Sequence, residues 1–408
     1  MSGSAPAVTP RKPSDLAIIA VTIAGACTFL NVYCTQPLLP LLQQIFHASE
    51  VEVSMTVGAV TLAVAITAPF IGLMAETFGR KKVIVPALFA MAAPTLLAGT
   101  AHSLPALIGW RFAQGIFVPG VIAVMMAYIN EEFAGRTGAV MAAYVAGTVF
   151  GGFLGRFLTG LIATHWSWQG AFVVLGILNL LGAVAVRRWL PLAANFVPAT
   201  HVFRSLSDTW SHLRNPRLLA VCAMGFTILF SLVGVFTYAN FYLARPPFNL
   251  TPAGLGSIFF VYLLGCVVTP LAGLFLDRNG FRRTAGLSIA MCLVGLALTL
   301  AHSLALVIAG LASFSTGVFI LQSAASVLTG QVAGRARSAA AGLYVTFYYA
   351  GGSTGAALTG WFWLRGGWFW CVGLFSSVCL LTFVLAVYSG KRVGEEQVSA
   401  DTLLDTAI

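Results

Sequence analysis

The sequence predicts an all-α membrane protein of twelve transmembrane helices, arranged as two pseudo-symmetric six-helix bundles. Three observations predict it. The first is composition: 59% of the 408 residues are hydrophobic and only 8% are charged, against about 25% charge in an ordinary soluble domain. Such a chain could not cover its own surface in water. The second is segmentation, since the apolar runs come close to the ~20 residues that one helical crossing of a bilayer needs. The third is an internal duplication, described below.

Reading the apolar runs and their breaks in order gives spans near residues 16–37, 51–75, 83–100, 104–128, 138–163, 169–187, 218–243, 252–275, 284–301, 304–328, 338–362 and 368–389. Residues 1–15 are a polar, Pro-containing tail, expected to be disordered. The first run has no small-residue cleavage site and continues into Asn31–Pro40, so no signal peptide is expected. Residues 16–187 form the first six-helix bundle and 218–389 the second. The connection 188–217 carries Val202, Leu206, Trp210 and Leu213 at helical spacing among polar residues, which predicts an amphipathic helix on the membrane face or a plain linker helix. Residues 390–408 form a mildly acidic, loose tail. The 42 glycines suit close helix packing in lipid.

Orientation follows from the 22 Lys and Arg residues. With the N-terminus inside, nearly all of them fall on cytoplasmic segments, from Arg11 and Lys12 to Lys391 and Arg392. The outer loops hold only Arg245 and Arg365, while Arg111 and Arg156 fall inside spans. This asymmetry places both termini in the cytoplasm. The formal net charge of +10 is thus a topology signal, and nucleic acid is not an expected partner. The seven cysteines form no C-x-x-C pair, so neither a disulfide framework nor a metal site is expected; no cofactor is expected either.

The halves match. Ala101-His102-Ser103-Leu104 recurs as Ala301-His302-Ser303-Leu304, and Gly151-Gly152-x-x-Gly155-x-x-Leu158-Thr159-Gly160 as Gly351-Gly352-x-x-Gly355-x-x-Leu358-Thr359-Gly360. Tyr144 matches Tyr344 and Trp168 matches Trp368. The first span also reads Thr28-Phe29-x-Asn31-x-Tyr33-x-x-x-Pro37, and the seventh Thr237-Tyr238-x-Asn240-x-Tyr242-x-x-x-Pro246, at a slightly larger spacing. Two similar bundles meeting around a central cavity are suited to alternating access.

Between spans two and three stands Gly72-Leu73-Met74-Ala75-Glu76-Thr77-Phe78-Gly79-Arg80-Lys81-Lys82, and between spans eight and nine Gly273-Leu274-Phe275-Leu276-Asp277-Arg278-Asn279-Gly280-Phe281-Arg282-Arg283. Each has a glycine, an acid four residues later, a second glycine three further on, then basic residues. This resembles the motif-A loop of the major facilitator superfamily (MFS), and the 6+6 duplication extends the resemblance to the whole chain. It implies the MFS fold and a secondary transporter in the bacterial cytoplasmic (inner) membrane. It further implies gating contacts at the inner face by Gly72, Glu76, Gly79 and Arg80, and by Gly273, Asp277, Arg278 and Gly280. Thr77 and Phe281 stand where the family usually has basic residues, which implies a weaker charge lock. Arg111-Phe112-Ala113-Gln114-Gly115 is similar to the family's R-x-x-Q-G motif B. Gly147-x-x-x-Gly151-Gly152-x-x-Gly155 resembles its antiporter motif C, with Gly152 in place of the usual proline; helix packing explains the same spacing equally well. Tyr33-Cys34-Thr35-Gln36-Pro37-Leu38-Leu39-Pro40 looks like the acriflavine-sensitivity, drug:proton antiporter-like branch.

All twelve acids and all six histidines lie in loops, tails or span ends. No buried acid or histidine therefore offers itself as a proton relay. Arg111 and Arg156 each lie about seven residues from the outer end of their span, ~10 Å below the surface at ~1.5 Å per residue. Arg111 and Arg156, with Asn31, Tyr33, Gln36 and Gln114, are expected to form a polar site on the N-half wall. Charge left uncompensated in lipid is expensive, so an anionic or carboxylate-bearing solute is expected there. Two alternatives remain open: that Glu50 or Glu52 folds in to pair with an arginine, or that Arg111 is a buried tie between helices. Tyr238, Asn240, Tyr242, Gln322, Tyr344 and Tyr348 are expected on the facing wall, where aromatic rings accommodate varied shapes.

These observations point to a transporter of a small organic solute, expected to act as a monomer in proton-coupled efflux, with an uptake permease for an organic acid or sugar-like solute as the alternative. No H-E-x-x-H, paired interior carboxylates or nucleophile motif marks an enzyme, and no G-x-x-x-x-G-K-[ST] marks an ATP-driven pump.

Overall fold

The computed structural model describes residues 15–133, 135–193, 213–332 and 337–405. The predicted tail before residue 15 and most of the predicted linker helix lie outside the described residues. The first half comprises α1 (Asp15–Val32), a 3-10 turn (Gln36–Leu38), α2 (Leu39–Phe46), α3 (Glu50–Phe78), α4 (Arg80–Ala98), α5 (Leu104–Phe117), α6 (Pro119–Glu132), α7 (Thr137–His165) and α8 (Trp168–Trp189). The second half comprises α9 (Pro216–Leu243), α10 (Pro252–Ile258), α11 (Val261–Leu298), α12 (Leu304–Val332) and α13 (Arg337–Asp405).

Local chemistry sets the helix starts. Ser49 opens α3 with a capping box: its backbone N–H donates to Glu52 Oε2 at 2.8 Å, and the Glu52 N–H donates to Ser49 Oγ at 3.2 Å. Ser103, Ser167, Asn215 and Thr251 accept the first free amides of α5, α8, α9 and α10. Proline sets the breaks. Pro37 and Pro40 supply no N–H, and the first span is interrupted after Val32 before continuing to Phe46, beyond the predicted end near 37. Pro119 likewise divides span four into α5 and α6.

Ten helical stretches of the described residues are long and apolar enough to cross a membrane. One of them, Ala339–Ser389, has 51 residues, ~77 Å of helix at ~1.5 Å per residue, and it breaks at Gly366 and Gly367 into two crossings. The α10 helix and the first arm of α11 supply a further crossing, because α11 bends at Gly280, where φ is 74°. The twelve predicted spans are thus accounted for. Helix α13 continues to Asp405, where the sequence predicts a loose tail.

The halves repeat one packing solution. Helix α7 lies on α1, and the first arm of α13 lies on α9. A Cβ on Gly151 or Gly155 would come within 2.1 Å or 2.0 Å of the carbonyl oxygens of Ala26 and Leu30, and one on Gly351 or Gly355 within 2.0 Å or 2.3 Å of those of Phe226 and Phe230. Only glycine permits this approach. Outward faces carry Phe70, Leu181, Leu380 and Val384 more than half exposed, a surface that lipid, and not water, accommodates.

Candidate functional site

A cavity of about 160 Å³ lies between the halves. The first half contributes Phe29 of α1, Tyr33 from the break, Gln36 from the 3-10 turn, and Thr148, Val149, Gly152 and Arg156 of α7. The second contributes Leu229, Leu232 and Val233 of α9, Tyr262 of α11, Phe319 and Gln322 of α12, and Tyr348 and Tyr349 of α13. Both halves offer equivalent positions: Phe29 and Leu229, Tyr33 and Val233, Thr148 and Tyr348, Val149 and Tyr349.

Arg156 is the charged group of this lining, only 2% exposed. Its Nε donates to Gln36 Oε1 at 2.7 Å, and Nη1 donates to the Gly152 carbonyl at 2.6 Å. The guanidinium lies over the rings of Tyr33, Phe259 and Tyr262, at 4.7, 4.5 and 4.9 Å from their centroids. Nη2 makes no hydrogen bond, and no carboxylate lies within ion-pair distance among the described residues. The alternative in which Glu50 or Glu52 neutralises an interior arginine does not occur: Glu50 pairs with Arg245 at 2.5 Å, and Glu52 caps α3. Gln36 holds the guanidinium from one side and donates to Thr237 Oγ1 at 3.2 Å from the other, so one side chain joins the cation to the second half.

Arg111 is different, and its expected place in the cavity wall is corrected. It is fully buried and donates to the carbonyls of Asn31 (2.7 Å), Val32 (2.5 Å) and Thr56 (3.0 Å), and to Gln114 Oε1. Asn31 and Val32 end α1, where carbonyls lack helical partners and the helix dipole is negative. Arg111 is therefore a tie between helices that caps the broken end of α1. Asn31 and Gln114 share this network behind the wall. Gln114 Nε2 donates to Thr95 Oγ1 at 2.6 Å, and Thr95 donates to Asn31 Oδ1 at 3.2 Å.

Of the predicted facing wall, Gln322 and Tyr348 line the cavity. Tyr344 stands behind them, its hydroxyl donating to Gln322 Oε1 at 3.0 Å and its ring stacked on Tyr348. Tyr238, Asn240 and Tyr242 are placed elsewhere. Tyr238 donates to the Ala356 carbonyl (3.1 Å), Asn240 Nδ2 donates to the Phe236 carbonyl (2.5 Å), and Tyr242 stacks on Trp368. The reason is register. The glycine contacts set Ala26 opposite Phe226 and Leu30 opposite Phe230, whereas the Thr-x-x-Asn-x-Tyr likeness is displaced by nine more residues, ~13 Å along a helix. Phe29, Thr148, Val149, Gly152, Leu229, Leu232, Val233, Tyr262, Phe319 and Tyr349 were missed. The 200-residue offset of the glycine motifs was the signal that could have placed Leu229 and Val233.

Contacts between the halves cluster at the face opposite the chain termini. Glu50 meets Arg245, whose guanidinium lies over Trp363 at 5.0 Å. Ser54 Oγ donates to the Ala356 carbonyl at 2.9 Å, and the Ala253 N–H donates to Thr164 Oγ1 at 2.9 Å. At the other face Gly79 (φ 92°) and Gly280 (φ 74°) make the turns of the two loop motifs, a conformation L side chains rarely adopt. Arg80 forms an ion pair with Glu131 at 2.7 Å, and Arg278 is exposed. Gly72 lies in α3 and Gly273 in α11, and the side chains of Glu76 and Asp277 lie outside the described residues. No group of three or more His, Cys, Asp or Glu among the described residues is placed to hold a metal.

Twelve crossings in two repeating halves around a central cavity define a membrane transporter. The profile of the Major Facilitator Superfamily matches residues 21–246 and 238–402, and the chain belongs to that family. It is 33% identical over 377 residues to the inner membrane transport protein YnfM of Escherichia coli (strain K12), covering 92% of this chain and 89% of that one. It is 30% identical over 372 residues to the uncharacterized MFS-type transporter YybF of Bacillus subtilis (strain 168), covering 91% and 92%. A crystal structure of a variant of the nucleoside transporter NupG superposes with a TM-score of 0.76 at 12% identity, covering 92% of this chain and all of that one.

Proposed function

We propose that this chain moves a small organic anion across the bacterial cytoplasmic membrane by alternating access, in proton-coupled efflux, as a monomer with both termini in the cytoplasm. One observation carries the reading: Arg156 faces the inter-half cavity, and among the described residues it has no carboxylate partner and an unused Nη2. A buried cation without a counter-ion is costly, and an anionic solute relieves it. The Lys and Arg asymmetry supports the orientation. The first relative's description as an inner membrane protein supports the location.

In this reading residues 16–187 and 218–389 are the moving units. Glu50–Arg245, Ser54–Ala356 and Gln36–Thr237 close the outer side; Gly72, Glu76, Gly79, Arg80, Gly273, Asp277, Arg278 and Gly280 serve the inner one. The cation is joined to an outer closing contact through Gln36, so solute binding at Arg156 acts on the bond that holds the halves together there.

Uptake by a permease for an organic acid or sugar-like solute stands as the second reading. Its support is that Gly147, Gly151 and Gly155 pack against carbonyls of α1, as Gly351 and Gly355 do on α9; the likeness to an antiporter motif is then explained by packing. Everted vesicles separate the two. A proton antiporter collapses an imposed pH gradient when its anion is added outside the everted membrane, and a vesicle whose gradient is untouched while it accumulates or loses that anion contradicts efflux against protons.

A further inference from the structure

We propose that the cavity is built for a monoanion carried on a single aromatic ring, a benzoate-like monocarboxylate. The proposal rests on the reading of this cavity as the transport site and names the solute class.

Size is the first argument. A volume of about 160 Å³ matches the roughly 150 Å³ that accommodates one benzene, so the cavity has room for one ring with a small polar substituent. Charge is the second. Among the described residues the lining offers one guanidinium and no second cation, so a monoanion leaves the pair neutral, and a dianion brings one charge without a partner. Arg156 Nη2, left over after Nε and Nη1 are engaged by Gln36 and Gly152, is the donor for a carboxylate oxygen.

The walls supply the third argument. Tyr262, Phe319, Tyr348 and Tyr349 present rings to the cavity, and a flat solute meets them by stacking or edge contact. The rings of Tyr33 and Tyr262 already lie close to the guanidinium. A cationic solute would have to share them with Arg156 and stand beside a like charge. At the opposite wall Gln322 accepts from Tyr344 through Oε1. Its amide NH2 is left to donate to a hydroxyl or carbonyl on the ring.

The test uses the purified full chain in proteoliposomes, with radiolabelled benzoate as the probe for binding and counterflow. Benzamide, benzylammonium and phthalate serve as neutral, cationic and dianionic competitors. Benzoate is expected to bind and exchange, with each competitor at least about tenfold weaker. Arg156→Gln is expected to weaken benzoate binding about ten- to a hundredfold, as loss of a charge-assisted hydrogen bond does, in protein that remains monodisperse. Gln322→Ala is expected to abolish any gain of hydroxybenzoates over benzoate. Competition by benzylammonium or benzamide equal to that by benzoate overturns the assignment, as does benzoate binding unchanged in Arg156→Gln. Counterflow of benzylammonium without benzoate leaves the transporter standing and overturns the solute class. Arg156-dependent benzoate binding without any counterflow upholds the class and overturns the transport reading.

Discussion

Two arginines of the same helix depth have opposite physical roles, and their surroundings decide which is which. Arg111 completes three backbone carbonyls, two of them at the open end of α1, and its charge is balanced by that helix terminus. Arg156 has no such balance. Arg111→Gln is therefore expected to orphan buried carbonyls and lower stability by on the order of 3 kcal/mol, read as a fall in the thermal midpoint of the detergent-solubilised protein. Arg156→Gln removes an uncompensated cation from a low-dielectric site, which offsets the two hydrogen bonds it loses, so its midpoint is expected to match or exceed the parent's. Equal losses for the two variants would contradict this division. Both arginines stand out in the sequence because charge inside an apolar run is conspicuous. The sequence alone does not separate them, since the three carbonyls that hold Arg111 leave no mark in it, and the Gln36 that holds Arg156 lies far away along the chain.

At the scale of elements, the glycines of α7 have two tasks. Gly147, Gly151 and Gly155 turn toward α1, while Gly152 turns toward the cavity, where an added Cβ would meet Arg156 Nη1 at 3.3 Å. Gly155→Val is expected to force α7 off α1 and leave little folded protein on size-exclusion chromatography. Gly152→Ala is expected to yield folded protein with altered anion affinity, because the neighbouring atom belongs to a movable side chain. Recovery of well-folded Gly155→Val would sink the packing account. Helix positions and the two glycine turns were legible because apolar length and a required positive φ are local properties. The C-half wall was legible only at Gln322 and Tyr348, because a chance likeness nine residues out of register drew Tyr238, Asn240 and Tyr242 into it. The aliphatic residues that do line it, such as Leu232 and Val233, look like any other core positions.

For the whole molecule, the duplicated halves meet firmly on one side of the cavity through Glu50–Arg245, Ser54–Ala356 and Thr164–Ala253, and Arg156 is tied into that side by Gln36 and Thr237. Alternating access requires these contacts to part while the opposite face closes. The direct measurement is a pair of spin-label distances in the reconstituted protein, one pair at His102→Cys and His302→Cys in the equivalent loops of one face, the other at Lys82→Cys and Arg283→Cys of the opposite face, with and without the transported anion. The account predicts that the two distance distributions shift in opposite directions when anion is added, and that Arg156→Gln suppresses the shift. Distances that stay fixed at both faces while the anion is carried across, or that widen together, would contradict it.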